Sequence, residues 1–285
     1  MDSTRWEALT LKELPRLVAA KRQVHQAVQI VSAAGRHLLP HHPWDIFGNL
    51  EWLASTRMWL GWSIPGRFEC RVGLRPADLS LHLCTPRGDS FAQLSLDGTT
   101  YSAGFAWLRT ELKALGIDPE PIDPELPYEI PAYPQADGAP FALGDPEAFV
   151  EFARTFHNAQ VILNYVASRY QLWQSVRTWP HHFDLSSRRR LAKGDDFWHL
   201  GVGYAPGDDY NCAEPYFHLT CYPSDDVNRT ALPALTGDLQ WHTEGWLGIL
   251  LPWSKVVAES TGPAQFALVT DGLERGMKAL IEVKG

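Results

Sequence analysis

Imidazoles, carboxylates and large aromatic rings gather in one stretch of this chain. Trp179-Pro180-His181-His182-Phe183-Asp184 is followed by Pro206-Gly207-Asp208-Asp209, by Glu214-Pro215-Tyr216-Phe217-His218 and by Trp241-His242-Thr243-Glu244-Gly245-Trp246. Side chains alternate along a strand, so residues two apart share a face. On that rule His182 falls with Asp184, Glu214 with Tyr216 and His218, and His242 with Glu244. If these strands are neighbours, the groups converge on one surface.

Three uses of such a surface follow from the residue types. A mixed imidazole and carboxylate set suits Zn, Mn or Fe(II), with His182, Asp184, Glu214 and His242 as the ligands of a divalent metal. A hydrolase-like enzyme would use His182, Asp184 and Glu244 as its catalytic groups, with that metal or as metal-free acid and base. In the metal-free case flanking Trp and Phe raise the carboxyl pKa of Asp184 or Glu244. The reading preferred here is a cleft that binds a small polar molecule, in which Trp179, Tyr216, Trp241 and Trp246 form stacking walls and Asp208 and Glu214 orient the ligand. The bland alternative is a polar network with no site, because alternating polar residues on a strand ordinarily face water. Spacing does not separate these readings: there is no H-E-x-x-H, and Glu214-Pro215 and Pro206-Gly207-Asp208 are also turn formers. The absence of G-x-G-x-x-G, G-x-x-x-x-G-K and G-x-S-x-G argues against Rossmann, P-loop and nucleophile-elbow sites.

The elements that must position these groups come in a repeated order. Seven of the 21 prolines lie between Ile117 and Leu143, interleaved with Ile122, Leu126, Tyr128, Ile130, Tyr133 and Phe141. Prolines at that density exclude a helix interior, and the apolar residues mark a packed strap rather than a free linker. Before the strap, Leu17, Ala20, Val24, Ala27 and Val31 have helical spacing. Strand-like segments follow near Asp45–Leu53, Arg57–Ile64, Phe68–Arg75, Leu79–Cys84 and Ser90–Leu96, and then a helix through Phe105, Leu108 and Leu112 that stops at Gly116. After the strap, Asp145-Pro146-Glu147 starts a helix through Phe149, Phe152, Phe156, Leu163 and Tyr170. Strand-like segments lie near His182–Ser187, Phe197–Tyr204, Pro215–Tyr222 and Gly245–Leu251, and Phe266, Val269, Leu273 and Met277 form a closing helix. The expected fold is α+β: two related helix–antiparallel sheet–helix halves, residues 1–116 and 144–285, joined by the Pro-rich strap 117–143. Short echoes such as Leu112-Lys113-Ala114-Leu115 and Met277-Lys278-Ala279-Leu280 point to an internal repeat. His25 and His157, on the two opening helices, read as core-edge residues, and His41-His42-Pro43-Trp44-Asp45 as a first-half counterpart of the Trp179–Asp184 stretch.

Composition narrows the class further. The 285 residues carry 25 basic and 33 acidic side chains, a net charge of −8, and this acidic balance argues against a nucleic-acid partner. The strongest apolar stretch, Trp246 to Trp253, is interrupted by Gly248 and Pro252 and is far short of the ~18 residues of a membrane span, so no membrane association is expected. No basic region followed by an apolar run opens the chain, and Cys70, Cys84, Cys212 and Cys221 form no C-x-x-C pair, which fits reduced thiols and a cytoplasmic protein. Oligomeric state is not readable from these features.

The motif order W-P-x-H-F-D, G-x-S-P-G-D, E-P-Y, carried here by Trp179–Asp184, Gly203–Asp208 and Glu214–Tyr216 and followed by the W-H-T-E-G of Trp241–Gly245, resembles an uncharacterised bacterial domain-of-unknown-function family. Ala205 stands where that pattern has serine. The motif match spans roughly Trp179 to Gly248. The resemblance implies a two-half layout and no particular reaction.

Overall fold

A computed structural model describes residues 6–10, 12–170, 175–193 and 196–284, the side chain of Lys193 excepted. Helices and two antiparallel sheets make it an α+β protein. It divides into two compact units interleaved along the chain, one formed by Pro15–Ala153 with Arg177–Phe183 and the other by Met1–Leu14, Arg154–Val176 and Asp184–Gly285. The whole strap belongs to the first of these, here called the N-terminal unit.

The N-terminal unit is built on helix α1 (Leu14–Leu38) and the strands β1 (Glu51–Leu53), β2 (Met58–Leu60), β3 (Arg71–Arg75), β4 (Ser80–Cys84) and β5 (Ser90–Ser95). These strands pair antiparallel in chain order as a meander, each inside its expected segment. Helix α2 (Tyr101–Ala114) follows, opened by the Thr100 hydroxyl, which accepts from the Ala103 N–H. As expected, the helix stops at Gly116, whose backbone is left-handed. Every residue of α1 from Val24 to Gly35 is buried. Such a helix lies inside the unit, so its polar members His25, Gln26, Gln29 and Ser32 need internal partners. The strap covers it: Ile122, Tyr133 and Phe141 are buried, and Phe141 exchanges backbone hydrogen bonds with Gly98 and Thr99.

Helix α3 (Pro146–Tyr170) starts at the expected Asp145-Pro146, and the division between the units falls within it, after Ala153. The short β6 (Arg177–Trp179) belongs to the N-terminal unit, where Thr178 and Leu50 bond backbone to backbone. In the C-terminal unit β7 (Asp184–Lys193), β8 (Asp196–Ala205), β9 (Tyr216–Tyr222), β10 (Gln240–His242) and β11 (Gly248–Pro252) pair antiparallel in the order β10-β11-β9-β8-β7. Helices α4 (Trp253–Ala258) and α5 (Gly262–Lys284) close the chain. One face of this sheet is apolar: Leu219 and Ile249 meet α5 at Gly276, and Tyr204 meets Phe156 of α3 edge to face. No helix among the described residues is long and apolar enough to cross a membrane.

Candidate functional site

The opposite face of the C-terminal sheet is where most of the expected polar residues come together. Alternation along β9 directs Phe217, Leu219 and Cys221 one way and Tyr216, His218 and Thr220 the other. His218 pairs with Gly203 of β8, and Ser186 of β7 is the next residue across. A Cβ at Gly203 would lie 2.3 Å from His218 Nε2. Glycine therefore lets the imidazole lie across β8 and bring Nε2 to 3.9 Å from the Asp184 carboxylate, both side chains being largely buried. That separation is too long for a direct hydrogen bond and short enough for an ion pair when the ring is protonated.

Trp246 borders this pair. Its indole turns back over Gly248, stands 6.3 Å from the His218 ring and stacks on His242 at 4.2 Å with planes 17° apart. The indole N–H donates to Asn211 Oδ1 at 2.8 Å. Asn211 in turn donates from Nδ2 to both Asp208 oxygens, and the Tyr216 hydroxyl donates to Asp208 Oδ2 at 2.7 Å. Burial by itself would raise the Asp208 carboxyl pKa, but these donors and the N–H groups of Asn211 and Tyr210 hold it below the usual range. Burial, reinforced by the Asp208 charge, pushes the Tyr216 phenol up, so it stays protonated as a donor.

Other expected members are placed differently. His182 and Asp184 do not share a strand face, because residues 180–183 form a turn, Phe183 has a left-handed backbone and β7 begins only at Asp184. His182 is exposed and belongs to the N-terminal unit with Trp179, whose indole meets His181. Glu244 does not continue the face of His242: β10 ends at His242, and Glu244 is exposed in a bend completed by Gly245 at φ 72°. Glu214 is spent on α4, accepting from the Ser254 N–H at 2.5 Å and its hydroxyl at 3.0 Å. Trp241 donates its indole N–H to the Pro233 carbonyl. Among the described residues no three His, Cys, Asp or Glu side chains are placed to hold one metal ion, so His182, Asp184, Glu214 and His242 are not gathered as a ligand set.

Two participants went unrecognised in the sequence. Asn211 sits in a loop and carries no motif. Gly203 did leave a signal, since Gly201-Val202-Gly203 inside a good strand marks a face where something approaches the backbone closely.

The N-terminal unit holds a second buried polar assembly. His25 is not at the edge of the core but inside it, 4% exposed and stacked on Phe183 at 4.7 Å. Its Nε2 lies 2.8 Å from the Pro180 carbonyl, which only accepts, so Nε2 carries the proton and Nδ1 accepts from the Tyr133 hydroxyl at 2.9 Å. Gln29 donates to the same carbonyl and accepts from Tyr128, which accepts from Arg36, the guanidinium partner of Asp45. Desolvation pushes the His25 pKa down to about 3. A cleft of about 570 Å³ in this unit is lined by Gln26, Tyr101, Phe105, Arg109, Ile130 and Gln135 among others.

Against known proteins, no family model, no curated protein and no solved structure matches this chain.

Proposed function

We propose that the protein binds a small polar molecule at the face formed by Asp184, His218, Trp246 and His242. The observation that carries this reading is the 3.9 Å approach of His218 to Asp184 beside the Trp246 indole. Imidazole and carboxylate supply a donor and an acceptor, and the indole supplies an apolar wall, the combination that orients small polar ligands. Asp208, Asn211 and Tyr216 act one layer behind, fixing the indole through Asn211. Glu214 serves α4 and leaves the ligand set.

The experiment is a thermal-denaturation screen with amino acids, polyols and nucleosides. A binder raises the midpoint of the wild type, and the rise grows with the logarithm of its concentration above Kd. On this reading the rise disappears in Asp184→Asn and His218→Gln. A rise of equal size in both variants rejects the site.

A second reading places the ligand in the cleft of the N-terminal unit. Gln135 Oε1 is buried there with no hydrogen-bond partner, an arrangement that costs about 1–3 kcal/mol unless a donor fills it. The same screen on Gln135→Leu separates the readings, since only a ligand in this cleft loses its effect in that variant.

A further inference from the structure

The β4–β5 hairpin carries a second set of groups, remote in sequence from every motif above. Ser80 and His82 alternate along β4 and share a face, and β5 pairs Ala92 with Leu83 but Ser90 with Cys84, so one extra residue is inserted between them. This bulge re-aims β5 and puts Ser90 on the face of Cys84, His82 and Ser80. His82 is fully buried, while Ser90 is exposed.

The hydrogen bonds fix where the protons are. Asp78 accepts from the Ser80 hydroxyl at 2.6 Å and from Arg75 through two guanidinium nitrogens. Ser80 Oγ, having given its hydrogen to the carboxylate, accepts from His82 Nε2 at 2.8 Å. That leaves His82 Nδ1 as the basic nitrogen, 2.8 Å from Ser90 Oγ. The competing acceptor for the Ser90 hydrogen, the Ala92 carbonyl, is at 3.4 Å. The hydroxyl of an exposed residue therefore rests on a neutral imidazole whose other nitrogen is oriented by a hydroxyl and a carboxylate. That is the relation of nucleophile, base and orienting group in acyl-transfer sites.

We propose that Ser90 is a nucleophile that accepts the acyl group of a carboxylic ester, with His82 as its base and Ser80 and Asp78 as positioning residues. Ser90 Oγ bonds to the ester carbonyl carbon while its proton passes to His82 Nδ1. The bond to the alkoxy group breaks, and the leaving oxygen takes that proton and departs as the alcohol. Water repeats the sequence on the acyl-serine, giving the carboxylic acid and restoring Ser90. The exposed strand suits activated esters that need no deep pocket. This assignment is independent of the ligand site in the C-terminal unit.

The test is labelling of the full-length protein with an alkyl fluorophosphonate, which forms the Oγ–P bond with loss of fluoride, followed by peptide mass spectrometry. The expected result is one label on Ser90, absent in Ser90→Ala and formed at least tenfold more slowly in His82→Gln. Asp78, which is half exposed, gives a second measure that does not depend on a core substitution. Asp78→Ala slows labelling several-fold, and Asp78→Asn, which can still accept from Ser80, restores most of the rate. No label on Ser90 in the wild type overturns the proposal, as does a wild-type rate in a folded His82→Gln. If His82→Gln does not fold, a wild-type rate in Asp78→Ala overturns it.

Discussion

The imidazole of His218 lies across the backbone of Gly203, in space that a Cβ at position 203 would occupy at 2.3 Å from Nε2 and 3.0 Å from the Leu185 carbonyl. Gly203→Ala must displace the ring, the strand or both. The expected cost is about 1–3 kcal/mol, as for other overpacked sites, with loss of the His218–Asp184 approach. Chemical denaturation gives the first quantity, and the imidazole NMR shifts of His218 with and without Asp184→Asn give the second. A variant of wild-type stability with unchanged His218 shifts would remove the steric account.

Asp208 tests whether a carboxylate in a motif is a ligand group or a structural one. It accepts from the N–H groups of Tyr210 and Asn211, from the Asn211 amide and from the Tyr216 hydroxyl. Asp208→Ala leaves these donors without their acceptor and should destabilise by about 1–3 kcal/mol in the absence of any ligand. Tyr216→Phe removes one arm of the same network. The double variant should therefore cost less than the sum of the two single changes, by roughly 0.5 kcal/mol or more. Strict additivity in urea denaturation would show that the two residues are not coupled.

Glu214 makes the converse point. Its carboxylate holds the first turn of α4 through Ser254, so Glu214→Ala should cost about 0.5–2 kcal/mol, as the loss of a helix cap does. Ligand-induced stabilisation at the Asp184–His218 face should survive. A ligand response that vanishes in this variant would return Glu214 to the binding set.

Periodicity made much of this molecule readable. The apolar spacing of α1, α3 and α5, the proline at the start of α3 and the helix stop at Gly116 are local signals, and all five strands of the first series lie inside their expected segments. The three-residue strands β6 and β10 lie outside the expected segments. The alternation rule failed at His182 because the left-handed Phe183 stands between it and Asp184, and at Glu244 because the extended backbone ends at His242 and the chain bends at Glu244. His25 looked peripheral because its partners, Tyr133 and Pro180, are 108 and 155 residues away and no local pattern announces them. The hairpin set of Asp78, Ser80 and His82 does alternate in the sequence, but Ser90 joins it only through the bulge.

The buried His25 gives a pH dependence with a definite sign. Its folded pKa of about 3 lies below the ordinary 6.5, so below that value the unfolded chain binds a proton that the native protein does not. The stabilisation is complete above about pH 6.5 and is lost as pH falls toward about 3, by up to about 1.4 kcal/mol per pH unit. His25→Gln should be less stable at pH 7 by about 1–3 kcal/mol through lost hydrogen bonds. It should also show a shallower decline between pH 6 and 4. Parallel slopes for wild type and variant would mean that His25 is protonated in the native protein.

The last prediction concerns which pieces of the chain can fold. A cut after the first series of elements, giving Met1–Gly116, keeps α1, the β1–β5 meander and α2. It removes Tyr133 and Pro180, the partners of His25, and Tyr128, which links Arg36 to Gln29. It also removes Ile122 and Phe141 from the buried set and Thr178 from its backbone pairing with Leu50. In that fragment a buried face of α1 would carry the His25 imidazole without either ring partner and the Gln29 amide without Pro180 and Tyr128, each costing on the order of 1–3 kcal/mol, against a total stability of only about 5–15 kcal/mol for a domain. Met1–Gly116 should therefore lack a cooperative thermal transition and bind a hydrophobic dye, whereas the full chain melts cooperatively. A sharp transition in the isolated fragment would show that the strap and the Arg177–Phe183 segment are dispensable, and that the His25 network does not hold the N-terminal unit together.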